Sequence, residues 1–177
     1  MIIPIGSGPP PLLVRISARR AAHVRARCGV IGPALAGGAP VLGVALVVVG
    51  LRLPTSYHPI SAIGVMMGAL AALWLLLSGT TLTGARSSVH GGHLDVNRAG
   101  VTKRVLGALW GGAVFCAASA CFLHLMILNS GPRQVPFTAG AAAYLALLAV
   151  VVLLGGVAFF TARALLDPRA AGRAPAA

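Results

Sequence analysis

The chain has 177 residues, of which 58% are hydrophobic and only 9% are charged. A soluble domain carries roughly a quarter charged residues, so this composition excludes an ordinary water-soluble protein and favours one that resides in a bilayer. The chain has 14 basic residues but only two acidic ones, Asp95 and Asp167, which leaves too few carboxylates for most acid–base enzymes.

The N-terminal segment, residues 1–27, is predicted to be a basic cytoplasmic arm. It begins without charge and contains the run Pro9-Pro10-Pro11, which favours polyproline II over helix. Residues 12–27 are rich in arginine, and we expect a short basic helix there. Its arginines project in several directions around a helical wheel, so this helix is a poor amphipathic membrane anchor.

Four long apolar stretches follow, at about residues 28–51, 60–82, 105–128 and 138–162. A helix needs about 20 apolar residues to cross the hydrocarbon core, and inside a bilayer its amides must bond within the segment. The apolar residues do not alternate with polar ones, as the strands of a barrel would require. The predicted fold class is therefore all-α, a polytopic membrane protein whose four transmembrane helices form a bundle over residues 28–162.

The basic residues predict which way the helices run. Twelve of the 14 lie before the first span, between the second and third, or after the fourth. They are Arg15, Arg19, Arg20, Arg25, Arg27, Arg86, Arg98, Lys103, Arg104, Arg163, Arg169 and Arg173. By the positive-inside rule, both termini, the loop 85–104 and the tail 163–177 are cytoplasmic.

The net charge of +12 has the same origin. The basic segments contain no Trp, Tyr or Phe on which bases could stack, so we expect no nucleic-acid partner. The expected partners are the lipid bilayer and its anionic head groups. A chain rich in Ala, Gly and Arg is typical of a GC-rich bacterial genome, which predicts the bacterial plasma membrane as its location.

The loop 85–104 is too short to form a core of its own, and we expect a connector or a docking surface. It contains His90 and His93 around Gly91-Gly92, a spacing compatible with a metal site that Asp95 would complete. Two ligands on a flexible loop do not define a site. The preferred interpretation is a solvated loop.

Small residues in the spans predict close helix packing, because helices in lipid associate through backbone approach. Gly64 and Gly68 form one GxxxG motif, and Gly107 and Gly111 form another. These rows are expected to pack within one chain, while a homo-oligomer or another membrane protein is the alternative partner. Pro40 predicts a fixed bend in the first span, with a transport hinge as the alternative.

His124 is the one strongly polar residue deep in a span, and intramembrane ionisable groups are functional suspects. His58 opens the second span at the same outer surface, so the two could ligate haem iron or copper. We expect instead that His124 bonds a neighbouring helix or reaches the interface. No cofactor is predicted.

The leading functional hypothesis is a non-catalytic accessory or structural subunit that acts through helix–helix contacts. A small transporter or channel subunit is the alternative, suggested by Pro40 and by hydroxyl residues at the inner end of the second span. These hydroxyls can instead bond to carbonyls of their own helix. A haem- or copper-binding redox protein is the third possibility.

Overall fold

The computed structural model describes residues 12–53, 59–130 and 139–168. Four helices account for most of this part: α1 (Ala18–Leu51), α2 (Pro59–Gly84), α3 (Val96–Ser130) and α4 (Ala139–Leu165). Each is long and apolar enough to span a membrane, which confirms the four predicted spans. The proline-rich start and most of the tail lie outside the described residues.

Two helices extend well beyond their predicted spans. α1 begins at Ala18 instead of Cys28, and α3 begins at Val96 instead of Val105. The separate basic helix expected before the first span is therefore wrong. Its residues from Ala18 onward form the first turns of α1, which Ser17 caps by accepting a hydrogen bond from the backbone of Arg20 at 3.2 Å. Charge in the sequence therefore does not mark where these two helices begin.

A small three-stranded sheet accompanies the helices that the all-α prediction expects. Its strands are β1 (Leu13–Arg15), β2 (Val89–His90) and β3 (His93–Asp95), antiparallel in the order β1-β3-β2. A short 3-10 helix, Ala85–Ser88, connects α2 to this sheet. Residues 85–104 are therefore no solvated loop: they fold into a 3-10 helix, a hairpin and the start of α3.

Gly91 and Gly92 make the hairpin turn possible. Their φ angles are 53° and 80°, both in the left-handed region that residues with a side chain rarely adopt. A two-residue turn with two positive φ angles matches the twist of the strands it connects. His90 and His93 consequently sit directly opposite each other on β2 and β3.

The sheet closes one end of the helix bundle. Its inner face carries Leu94, which pairs with Val89 on one side and with Val14 on the other. Leu94 and Val89 are buried and belong to the same apolar core as the helices. The burial of this face explains why the register is fixed, since a one-residue slip would expose it.

The three basic segments meet at this same end. The guanidinium of Arg20, near the start of α1, donates to the backbone oxygen of Asp167, beyond α4, at 2.7 Å. Arg86 follows α2, and its guanidinium carbon lies 3.4 Å from the place where Gly29 would carry a Cβ. The start of α1, the loop after α2 and the end of α4 thus share one side of the bundle, as the distribution of basic residues predicts.

Glycines bring α1 and α2 into backbone contact. A Cβ on Gly79 would lie 2.5 Å from the backbone nitrogen of Ala36 and 2.8 Å from the carbonyl oxygen of Gly32. Further along the same pair, a Cβ on Gly43 would meet the Cβ of Ala72 at 3.3 Å. α1 runs as one helix through Pro33 and Pro40. The fixed bend at Pro40 stays a prediction.

Candidate functional site

A cluster of polar side chains lies inside the bundle, among otherwise apolar residues. We call it the core polar cluster: His124 on α3, Tyr144 on α4 and the backbone of Gly64 on α2, together with Ser61, which lies one turn before Gly64 on α2. The Tyr144 hydroxyl donates to the carbonyl oxygen of Gly64 at 2.9 Å. The carbonyl oxygen of Gly64 already takes part in the backbone hydrogen bonds of α2. The Tyr144 hydroxyl therefore connects α4 to α2 without interrupting the helix.

His124 is packed closely on two sides. Its ring stacks on Tyr144, with the ring centroids 4.7 Å apart and the planes 13° from parallel. On another side Nδ1 approaches α2 so closely that a Cβ on Gly64 would lie 2.7 Å from it. The absence of a side chain at Gly64 is therefore what admits the imidazole.

The nitrogens of His124 are buried without partners. The residue is 5% exposed, and within the described residues neither nitrogen makes a hydrogen bond of normal geometry; the backbone of Ala120, one turn earlier on α3, is the group that acts on the imidazole. The Ser61 oxygen is buried and unpaired in the same way. Among the described residues His124 contacts its neighbouring helices by ring stacking and close packing and makes no hydrogen bond to them, so the expected bond or approach to the interface stays a prediction. An unpaired buried polar group costs roughly 1–3 kcal/mol, so these atoms lower the stability of the interior.

The first metal hypothesis paired His124 with His58. His58 lies outside the described residues, so its pairing with His124 stays a prediction. At His124 itself, Gly64 closes the Nδ1 side and Tyr144 covers a ring face. Only Nε2 is left to bind a metal.

The second metal hypothesis concerned His90 and His93, with Asp95 as a third ligand. The hairpin brings the two histidines together on exposed strand positions. Asp95 is engaged elsewhere: it accepts from the backbone of Arg98 at 3.1 Å, capping α3, and pairs with the Arg98 guanidinium at 3.7 Å. In the part of the chain that the structure describes, no three His, Cys, Asp or Glu side chains come together as a metal site.

Three of the four glycines in the GxxxG motifs are covered by the chain itself. Gly64 faces His124, and a Cβ on Gly68 would lie 2.5 Å from the Tyr144 hydroxyl. Gly107 faces Phe159, whose ring would be 3.2 Å from a Cβ there. Only Gly111 has open space, with nothing within 4 Å. Three of these glycines therefore pack within one chain, which was the preferred interpretation.

The hydroxyl cluster at the inner end of α2 also agrees with the simpler interpretation. Ser78 donates to the carbonyl of Trp74 at 2.8 Å, and Thr83 donates to that of Gly79 at 2.9 Å. Thr80 bonds to its own helix in the same manner. Since these hydroxyls satisfy themselves locally, they require no polar conduit.

Sequence reasoning missed Tyr144 and Ser61 as members of the core polar cluster. A tyrosine within an apolar span was the available indication, because a buried hydroxyl usually needs a partner. Comparisons of the chain with protein families, with curated proteins and with solved structures found no match.

Proposed function

We propose that the chain is a non-catalytic, multi-pass protein of the bacterial plasma membrane that acts through helix–helix contacts between copies of itself. In this proposal the end of the bundle that carries the sheet faces the cytoplasm. The observation that supports it is the outer face of α3, which presents small and large apolar residues in a regular order.

This face, the α3 stripe, has a 3–4 spacing along one side of the helix and is exposed throughout. It consists of Val101, Arg104, Ala108, Gly111, Phe115, Ala118, Phe122 and Leu125. Phe115 and Phe122 are 68% and 65% exposed, and small residues occupy the neighbouring stripe positions Gly111 and Ala118. A two-fold partner presents the same surface to itself. Each phenylalanine can then fill the space beside a small residue, which is the packing that helices in lipid favour.

Substitution of Gly111 by leucine tests the proposed contact. The position is open within the chain, so the bundle should fold, whereas a partner helix would lose its close approach. We expect dimer formation in liposomes, measured by energy transfer between labelled copies, to weaken by at least about tenfold, a loss typical of an overpacked contact.

The matched control is Gly37→Leu, because Gly37 on α1 is equally open. It should leave energy transfer unchanged. A wild-type chain that stays monomeric at every protein-to-lipid ratio, or a Gly111→Leu chain that associates as well as the wild type, contradicts the proposal.

The proposed orientation has its own test. A fluorescent protein fused after Ala177 should fluoresce, since it folds in the cytoplasm, and alkaline phosphatase at the same point should be inactive. The opposite pattern should appear for fusions between α1 and α2. An active phosphatase after Ala177 would place the basic end outside and overturn the assignment of sides.

A small transporter is the second candidate function, and the core polar cluster is the observation that favours it. Unpaired polar atoms on Ser61 and His124 are the kind of group that a permeating proton or small polar solute would meet. The test is proton flux into liposomes under a pH gradient. Equal flux through the wild type, His124→Phe and empty liposomes would exclude this candidate.

A further inference from the structure

A pocket of about 790 Å³ lies where the sheet meets the start of α3. We call it the hairpin pocket. Its walls include Leu13 of β1, His90 of β2, His93 of β3, and Arg98 with Val101 on α3. These residues come from four separate elements, so the pocket depends on the sheet that closes this end of the bundle.

The register of the sheet places nitrogen-bearing side chains in one row. Directly opposite residues of an antiparallel pair point to the same face, with their Cβ atoms about 4.5–5.5 Å apart. Arg15 is opposite His93, and His93 is opposite His90. A guanidinium and two imidazoles thus stand side by side on the outer face of the sheet, and no carboxylate lies in that row.

The one acid in the hairpin pocket does not neutralise this row. Asp95 occupies the next row, opposite Leu13, and its two oxygens contact the backbone nitrogen and the guanidinium of Arg98. The pair with the guanidinium is long, at 3.7 Å, and the Arg98 side chain is 64% exposed. Arg98 therefore keeps donors that point to the pocket's solvent, and together with the histidines it favours an anionic group.

Apolar residues on the rim distinguish one source of anions from another. Leu13 is 54% exposed and Val101 is 60% exposed, and both line the hairpin pocket. The neighbouring Leu12 is 59% exposed. Val101 lies only a turn before the predicted start of the third span, so the pocket is level with the boundary of the bilayer. A free phosphate would gain nothing from these side chains, whereas a lipid presents a phosphate and an apolar body together.

We propose that the hairpin pocket binds the phosphate of an anionic membrane lipid, with Arg98 and His90 as its donors and Leu13 and Val101 against the lipid's glycerol and upper acyl chain. His93 lies beside these donors, with its Nδ1 3.1 Å from the carbonyl oxygen of Gly91. This inference does not require the contact between copies, although Val101 belongs to both the α3 stripe and the pocket. It implies a defined lipid position at this end of the bundle, where charge alone would give a diffuse attraction.

The test measures lipid binding to the full chain in detergent by native mass spectrometry. Phosphatidylglycerol should bind at least about fivefold more tightly than phosphatidylcholine, the ratio expected when one or two cations at a membrane surface act on the headgroup. Arg98→Gln should reduce that preference about fivefold, and the double variant His90→Thr/His93→Thr should reduce it as well. Threonine keeps the strand propensity of these positions, and the melting temperature without lipid checks the fold.

Arg163→Gln is the matched control, because Arg163 is an exposed arginine at the same end of the bundle but does not line the pocket. It should change the preference less than the Arg98 variant does. Equal losses in the two arginine variants would show diffuse attraction and overturn the proposal. Displacement of phosphatidylglycerol by inorganic phosphate at equal concentration would show a free-anion site and overturn the assignment to a lipid.

Discussion

Replacing Gly79 with alanine is expected to lower the free energy of unfolding by about 2–4 kcal/mol, the range of a severe overpacking defect. The added methyl group would lie 2.5 Å from the backbone nitrogen of Ala36 and 2.8 Å from the carbonyl oxygen of Gly32. Both contacts are with backbone, which cannot rotate away as a side chain can. The two helices must separate instead, and the loss should appear in unfolding titrations of the purified protein with a denaturing detergent.

Gly84→Ala provides the control on the same helix. Gly84 has nothing within 4 Å of the place for a Cβ, so alanine there should be neutral or slightly stabilising through its better helix propensity. Gly32→Ala should repeat the effect of Gly79→Ala, because its methyl group would meet the backbone nitrogen of Thr83 at 2.7 Å and the carbonyl of Gly79 at 3.0 Å. The double variant should cost less than the sum, since either methyl group already opens the same gap. Equal stability of the Gly79 and Gly84 variants would contradict the close approach.

The contact between Gly32 and Gly79 shows what sequence patterns leave out. Hydropathy identified all four spans, because length and apolarity are local properties of each segment. GxxxG motifs identified Gly64 and Gly68, which do pack within the bundle. Gly32 and Gly79 belong to neither motif. They come into contact only because the antiparallel helices α1 and α2 pack in one particular register. A single sequence does not contain that register.

The sequence indicates the hairpin turn but not the third strand of the sheet. Gly91-Gly92 between short apolar–polar pairs is a recognised sign of a two-residue hairpin turn, and it was available in the sequence. The pairing of β1 with β3 is harder to predict from the sequence, because the two strands lie about 80 positions apart along the chain, with two spans between them. The pairing of Leu13 with Asp95, which brings Leu13 into the wall of the hairpin pocket, follows from that distant contact.

For the core polar cluster, the sequence indicates one residue and the structure supplies its surroundings. The position of His124 within a span marked it as unusual, and the structure confirms that it lies inside the bundle. Its surroundings come from two other helices, through the backbone of Gly64 and the ring of Tyr144. Rotation of α4 about its axis decides whether Tyr144 meets the histidine, and in a helix that is apolar on all sides no pattern reports that rotation.

Replacing His124 with phenylalanine is expected to raise the free energy of unfolding by about 1 kcal/mol, because it removes two buried nitrogens that lack partners among the described residues. The phenylalanine ring can keep the stack on Tyr144, whose centroid lies 4.7 Å from that of the imidazole. Tyr144→Phe is the matched variant of opposite sign. It removes the bond from the hydroxyl to the carbonyl of Gly64 and should cost about 1 kcal/mol. Unfolding in denaturing detergent measures both. A destabilised His124→Phe chain would contradict this expectation and show that the imidazole has a partner.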